Sequence, residues 1–527
     1  MNRPRAAGAS PHPLYSVAAL RALEARAQAA PPAGTLMQRA GQAAARLAME
    51  IGSDRPGPVW VLAGPGNNGG DAVVAAQVLR AAGVQVELAL LAPPERFGGD
   101  AALAWAAASA GGHAAWRDNL DGIAAAALVI DGLYGIGLTD AQRPLPERAA
   151  QWIERVNALA CPVLALDIPS GLTADHGACC GGSAVRATAT LTFLADKPGL
   201  HTLDGPDHAG AVHIESLGVD ADPGRVRASE GADVATIGAL NGPAVFAAAL
   251  RPRARNSHKG VFGNLAVVGG NTGMVGAALL AGRAALHAGA GRVYVHLLGA
   301  NAPAWDPVQP ELMLRAPPDA AALPAIDVIV AGPGMGEDEA ARSALAHCLA
   351  SGAALVADAD GLNLIAADGG LAAALAARTA PAVLTPHPLE AARLLHGTVA
   401  AVQADRIGAA RGLAQRFGAV VILKGVGSVI ATPDGSWWIN PTGNPGLATA
   451  GTGDVLAGLA GALLGQGWSA GAAATGAAWL HGRAADVLVG RPDHRGPAGP
   501  IGMVASDLIL PIRAALNQLF VRFAPQP

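Results

Sequence analysis

The sequence predicts an α/β protein built as two domains in series, each a parallel sheet with helices on both faces. Short apolar runs alternate with Ala-rich helical stretches along most of the chain, which is the signature of strand–helix–strand units. The alternation lapses between residues 218 and about 245 and then begins again. With 527 residues, the chain is also longer than one hydrophobic core usually serves.

Residues 16–30, "SVAALRALEARAQAA", open with Ser16 as a plausible N-cap and carry apolar residues at helical spacing. A second helix fits "TLMQRAGQAAARLAME", 35–50. Strands follow at "PVWVLA" (58–63), "VQVELALL" (84–91), "ALVIDGL" (127–133) and "PVLALDIP" (162–169). The apolar run "ATATLTFLA" (187–195) is expected to end this half. The rhythm then stops around Asp220, Asp222, Pro223 and Gly224, and the domains are placed at 1–225 and 235–527. A basic stretch, "RPRARNSHKG" (251–260), opens the second series. Its strands are "NLAVVGG", "RVYVHLL", "VIVAGPG", "ALVADAD", "AVLTPHP" and "AVVILKG". The two halves share no sequence similarity, so they are not a duplication.

Composition narrows the function classes. Apolar residues make up 51% and charged ones 14%, enough to bury large cores and unlike a disordered chain. A net charge of −4 gives no basic footprint for nucleic acid. Residues 261–282 and 455–482 are uncharged and long enough to span a bilayer, but glycines and polar residues break them, so buried strand–loop–helix units are expected instead. Arg21, Glu24 and Arg26 interrupt any apolar leader, and a cytoplasmic protein is expected. Cys161, Cys179, Cys180 and Cys348 lack metal-ligand spacing and suit a reducing compartment. A homo-oligomer is expected.

Two glycine-rich stretches carry the chemistry. "GPGNNGGDA" (64–72) follows the first strand directly; glycines there allow close backbone approach, and a helix start offers N–H groups to an anion. Taken alone, the loop is equally a structural turn. "VIDGLYGIGL" (129–138) and "ALDIPSGL" (165–172) also place oxygen ligands after apolar strands, where ligands of open α/β sheets gather. Asn68, Asp131 and Ser170 could share one hard cation there; Asp131 and Asp167 could instead cap the turns that follow them.

Together "YS", "TLMQRAG", "GPGNNGGDA", "DGLYGIGL", "LDIPSGL" and "LTFLADKPGL" resemble the NAD(P)H-hydrate epimerase domain over roughly residues 10–220. The resemblance implies a Rossmann-like three-layer fold that interconverts the R and S epimers of hydrated NADH and NADPH (NADHX and NADPHX). It implies that Asn67, Asn68, Gly69, Gly70 and Asp71 line the substrate site together with Gly135, Ile136, Gly137, Leu138, Thr139, Asp140 and Ala141. Asp167 would also touch the substrate, and Asn68, Asp131 and Ser170 match potassium ligands. Ala72 and Gln38 depart from the glycine and glutamate common in that pattern. Epimerisation needs C–O cleavage and re-addition on the other face, and a carboxylate beside the ring can assist as acid, base or charge stabiliser. Asp167 is assigned that role. Lys197, in "ADKPG", is either a substrate contact or a solvated lysine.

The most informative stretch is "NPTGNPGLATAGTGDVLAGLAGALL" (440–464). "AGTGD" offers N–H donors at a helix start, with Asp454 on the first turn. "LKGVGSVI" (423–430) puts Lys424 and two glycines at another strand end, suited to a phosphate or simply a surface charge. With "AGPGMG", "DADGLNL", "LTPHPLEAARLL" and the segment 256–293, these resemble ADP- or ATP-dependent NAD(P)H-hydrate dehydratase of the ribokinase-like superfamily, over about residues 250–515. The resemblance implies that Lys424, Gly425, Val426, Gly427, Ser428 and Gly453 bind the adenine nucleotide. It implies that Ala277, Gly334, His387 and Asp454 bind the hydrated nicotinamide. Ala450 departs from the usual "GGTGD" glycine. A kinase of this fold uses the motif aspartate to activate a hydroxyl, so Asp454 is expected to do so toward the hydrate, with ADP or ATP and magnesium as co-substrates.

The expected protein is a bifunctional NAD(P)H-hydrate repair enzyme, with NADHX, NADPHX and adenine nucleotide as its small-molecule partners. The alternative is a ribokinase-like small-molecule kinase with a non-catalytic nucleotide-binding module at its N-terminus.

Overall fold

The computed structural model describes residues 11–28, 35–52, 55–221, 237–317, 326–490, 492–493, 496–497 and 499–523. The chain divides into two compact units, Pro13–Gly238 and Ala239–Pro527, with Met1–His12 grouped with the second. Residues 222–236, where the sequence places the domain boundary, lie outside the described residues.

The N-terminal unit begins with helices α1 (Val17–Gln28) and α2 (Thr35–Gly52). Ser16 caps the first, its Oγ accepting the Ala19 N–H at 3.3 Å. Six strands follow: β1 (Val59–Ala63), β2 (Val86–Leu90), β3 (Leu128–Gly132), β4 (Val163–Leu166), β5 (Ala189–Phe193) and β6 (Ala211–Glu215). They lie in the order β2-β1-β3-β4-β5-β6, all parallel. Alternate residues of β1 serve opposite faces. Val59, Val61 and Ala63 pack with α2 and with α3 (Asn67–Ala81), whereas Trp60 and Leu62 pack with Trp152, Ile153 and Val156 of α4 (Glu147–Asn157). Apolar residues at both phases of the pleat make the sheet a buried middle layer. This is the expected Rossmann-like three-layer arrangement. β6 was not foreseen, since the apolar run ending at Ala195 was expected to close this half.

The C-terminal unit carries β7 (Asn264–Gly269), β8 (Arg292–Leu297), β9 (Met313–Arg315), β10 (Val328–Ala331), β11 (Ala354–Ala357), β12 (Ala382–Leu384), β13 (Val420–Leu423), β14 (Ser428–Ala431) and β15 (Trp437–Asn440). Their order is β15-β14-β13-β12-β11-β10-β7-β8-β9. β7 to β13 run parallel, and β14 and β15 add an antiparallel hairpin. One large core packs this sheet against α5 (Val275–His287), α6 (Thr452–Gly465), α7 (Ala470–Val489) and α8 (Ile509–Phe523). The architecture is the ribokinase-like α/β fold. The two long uncharged runs resolve into strand–loop–helix and helix–loop–helix pieces, and no described helix is long and apolar enough to cross a membrane.

Each sheet reverses its strand order in its middle, between β1 and β3 and between β7 and β10. Such switch points open a crevice at the carboxyl ends of the strands.

Candidate active sites

In the N-terminal unit, the loop after β1 meets the loop after β3 at the switch point. Glycine is required there by sheer proximity: a Cβ on Gly64 would stand 1.9 Å from the Leu133 carbonyl oxygen. Gly132 in turn leaves room for the methyl of Ala72, so the Ala72 departure is absorbed. A cleft of about 570 Å³ opens beside these loops. Of the residues named from the sequence, Asn67, Asn68, Asp71, Gly135, Ile136, Gly137, Leu138 and Asp167 line it. Gly69 and Gly70 instead face close packing, against Gly64 and Met37. Asp140, farther along the loop, accepts the Gln142 N–H; its neighbours Thr139 and Ala141 share that stretch.

Asn68, Asp131 and Ser170 form one buried network. Ser170 Oγ donates to Asp131 Oδ1 at 2.6 Å, and the Ser170 N–H donates to Oδ2 at 2.8 Å. Asp131 also caps its own turn, accepting the Leu133 N–H, as the capping alternative expects of it. Burial pushes the Asp131 carboxyl up to about 6, against the pull of its Ser170 and Leu133 hydrogen bonds. Asn68 Nδ2 donates to the carbonyls of Tyr134 (2.9 Å) and Leu166 (3.1 Å), while its Oδ1 is buried with no hydrogen-bond partner. The Tyr134 carbonyl lies 3.2 Å from Ser170 Oγ as well. An orphaned acceptor among converging oxygens suits a hard cation of low charge.

Asp167 sits just after β4 with a left-handed backbone, φ 65°. Its Oδ1 pairs with Lys197 Nζ at 2.8 Å. Lys197 is only 1% exposed, which removes the solvated-lysine alternative. Glu24 and Asp100, neither singled out from the sequence, share the cleft with Asp71 and Asp167. Burial, reinforced by Asp167, Glu24 and Asp100, holds the Asp71 carboxyl well above the ordinary range. The same surroundings favour the neutral form of the Asp71 carboxyl over the charged one.

In the C-terminal unit, successive strand ends deliver the site. Gly334 follows β10, Asp358 follows β11, His387 follows β12 and Lys424 follows β13. Gly334 (φ 57°) lies against Met274 and Ala277, where a Cβ would meet the Ala277 methyl at 3.1 Å. Asp454 occupies the first turn of α6, and Gly453 before it faces Lys424 Nζ and Asp358. Ala450 avoids positive φ and is exposed, so its methyl is accommodated.

Lys424 Nζ donates to Asp358 Oδ1 at 2.8 Å and lies 3.8 Å from Glu390 Oε2. Burial opposes its charge, but Asp358, Glu390 and Asp454 outweigh that and raise its pKa. Among the described residues, Asp454 has no direct cationic partner. Burial first, then Asp358 and Asp360, push its carboxyl up to about 7 against the pull of Lys424. His387 is no loose loop residue: it caps the helix Pro388–Leu394 in a reciprocal box with Glu390. Its Nδ1 accepts two backbone N–H groups, and Glu390 Oε1 stands 3.2 Å from Nε2. That assigns the imidazole proton to Nε2. The Lys424–Ser428 loop closes through Ser428 Oγ donating to the Gly425 carbonyl, with Gly425 and Gly427 at positive φ. Val426 at its tip is 54% exposed.

The sequence reading missed Asp358 and Glu390 as site residues, although both lie in the stretches it singled out. Glu390 stands three residues after His387, which is capping-box spacing.

A helix-start glycine loop, an aspartate and a lysine thus gather at the strand ends of one α/β sheet, where the ligands of such enzymes bind. Residues 265–496 match the NAD(P)H-hydrate dehydratase family, and residues 33–199 match the family described as YjeF-related protein N-terminus. The bifunctional NAD(P)H-hydrate repair enzyme of Escherichia coli (strain K12) is 38% identical over 492 residues, covering 92% of this chain and 89% of that protein. The enzyme of the same name from Mycobacterium tuberculosis (strain ATCC 25618 / H37Rv) is 40% identical, covering 87% and 90%. A crystal structure of the ADP/ATP-dependent NAD(P)H-hydrate dehydratase from Bacillus subtilis, co-crystallised with ATP/Mg2+, is 32% identical with a TM-score of 0.46, covering 52% of this chain and 96% of that one. The chain belongs to the family of bifunctional NAD(P)H-hydrate repair enzymes.

Proposed function

We propose that the N-terminal unit equilibrates the R and S epimers of NADHX and NADPHX, and that the C-terminal unit dehydrates the S epimer back to NADH or NADPH at the expense of adenine nucleotide. Family membership across both halves is the observation that carries the reading.

In the cleft, Asp167 assists cleavage and re-formation of the C–O bond, and Asp71 lines the same space within reach of the ligand. Asn68, Asp131 and Ser170, with the Tyr134 carbonyl, are the residues that would hold potassium. The ion would supply fixed positive charge beside the loop after β3.

In the second site, Asp454 takes the proton of the hydrate hydroxyl as its oxygen attacks the terminal phosphate of ADP or ATP. The products are a phosphate ester and AMP or ADP. The ester's C–O bond then breaks, the neighbouring C–H proton is lost and the C=C bond forms. Phosphate leaves in place of hydroxide, so no strong acid is needed. Lys424 and the Gly425–Ser428 loop receive the nucleotide phosphates, and Ala277, Gly334 and His387 seat the nicotinamide. Among the described residues, no three His, Cys, Asp or Glu side chains are grouped to hold a metal ion, so magnesium would arrive on the phosphates.

The test is to incubate the chain with ADP and mixed NADPHX epimers and follow absorbance of the reduced nicotinamide. Complete conversion supports both activities. AMP release without NADPH would favour a kinase instead.

A further inference from the structure

We propose that Lys197 is a positioning residue for Asp167: its ammonium occupies Oδ1 and leaves Oδ2 as the oxygen presented to the cleft. The inference rests on the reading of Asp167 as the epimerase carboxylate.

Four oxygens surround Lys197 Nζ: Thr192 Oγ1 at 2.5 Å, Asp167 Oδ1 at 2.8 Å, and the carbonyls of Phe193 and Ala195 at 3.2 and 3.3 Å. Of these only Asp167 is charged. Removing the ammonium alone would strip the Asp167 carboxylate of this cation, so the lysine is read through what it does to the aspartate. The geometry supplies one. Oδ1 is engaged by Lys197, with the Phe193 N–H at 3.5 Å. Oδ2 faces Gly135, where a Cβ would stand 3.1 Å from it, and Gly135 lines the cleft. The left-handed backbone of Asp167 further fixes which way the carboxylate points.

Lys197 is itself anchored. Its N–H donates to Asp196 Oδ1 at 2.8 Å, and His201 Nε2 lies 2.9 and 2.8 Å from the two Asp196 oxygens. The order His201, Asp196, Lys197, Asp167 forms one run of contacts ending in the cleft.

The experiment uses the full chain with Lys197→Ala, Lys197→Gln, Asp167→Asn and the double variant Asp167→Asn/Lys197→Ala. Equilibration of pure S-NADPHX is followed by NMR, and calorimetric melting of the N-terminal unit reports that each variant is folded. Lys197→Ala should lose on the order of a hundredfold in epimerase kcat with KM within about threefold, as expected when only the reacting step suffers. The double variant should be no slower than Asp167→Asn, because the lysine acts through the aspartate. Added ethylammonium should recover part of the Lys197→Ala rate and none of the double variant's. The proposal is overturned if Lys197→Ala stays within about threefold of the parent, or if the two single losses multiply. It is equally overturned if losses in both Lys197 variants track unfolding and the amine restores nothing. Unimpaired Asp167→Asn would instead sink the assignment of Asp167, a separate outcome.

Discussion

Between about pH 6 and pH 8, the dehydration rate should climb roughly tenfold, because the carboxylate that must accept the hydroxyl proton has its pKa near 7. An acid with that pKa is roughly one-tenth ionised at the lower pH and nine-tenths at the higher, and only the ionised form is a base. The shift has named sources: burial, the like charges of Asp358 and Asp360, and the opposing pull of Lys424. Asp358→Asn removes one like charge and also frees Lys424 from its 2.8 Å ion pair. Both changes favour the Asp454 carboxylate, so the acid limb should move down by on the order of one pH unit or more. The assay is kcat/KM for S-NADPHX at saturating ADP, across pH, for the parent and Asp358→Asn. A profile flat down to about pH 5 in the parent would refute Asp454 as the titrating base. An unmoved limb in Asp358→Asn would refute the electrostatic coupling.

Asp454→Asn should cut dehydration by about a hundredfold or more while R/S equilibration persists; dehydration within about tenfold of the parent would remove the base assignment. Asp131→Asn should abolish any potassium-dependent rise in the melting of the N-terminal unit and slow only the epimerase, checked by calorimetry in potassium against choline buffer. Gly453→Ala sits in a helix, where alanine is favoured by roughly 0.5–1 kcal/mol, yet its Cβ would stand 3.3 Å from Lys424 Nζ. Stability should therefore hold or rise while the KM for ADP increases several-fold, and an unchanged KM would move Gly453 out of the nucleotide site. Residues 1–225 and 235–527 produced as separate chains should each fold, the second stopping at the S fraction of a mixture until the first is added.

Most of the fold was legible because its central strands are buried on both faces and read as unbroken apolar runs. β6, "AVHIE", escaped because it is an edge strand with exposed and half-buried residues. The β14–β15 hairpin carried a local signal, Asp434-Gly435 between apolar runs, that the parallel-sheet expectation overrode. The site was legible where a glycine had to stand at a strand end, as at Gly64 and Gly334, or at a helix start, as at Gly453. It was not legible where a charge acts across the sheet. Lys424 and Asp358 are 66 residues apart in sequence, and nothing local to either announces the pair. Glu24 enters its cleft from α1, far from the loops that make the motif. Lys197 could be quoted from the sequence, but its burial, and hence its meaning, is set by tertiary packing.

The two units use the same pair of residue types in opposite ways. In the N-terminal cleft the lysine pairs directly with the cleft carboxylate, Lys197 with Asp167 at 2.8 Å. A carboxylate so engaged is held in place with one oxygen toward the cleft, where it can oppose positive charge on a ring that loses and regains a hydroxyl. In the C-terminal site the lysine is claimed by a different carboxylate, Asp358, again at 2.8 Å. Asp454 is left beside like charges in a buried position, and its pKa rises to about 7. That makes it a much stronger base than an ordinary aspartate, yet one still largely ionised above neutrality, as deprotonating a hydroxyl requires. Which carboxylate the lysine chooses thus separates a charge-stabilising aspartate from a proton-accepting one. Exchanging that choice, by Asp358→Asn, should turn the second aspartate toward the behaviour of the first.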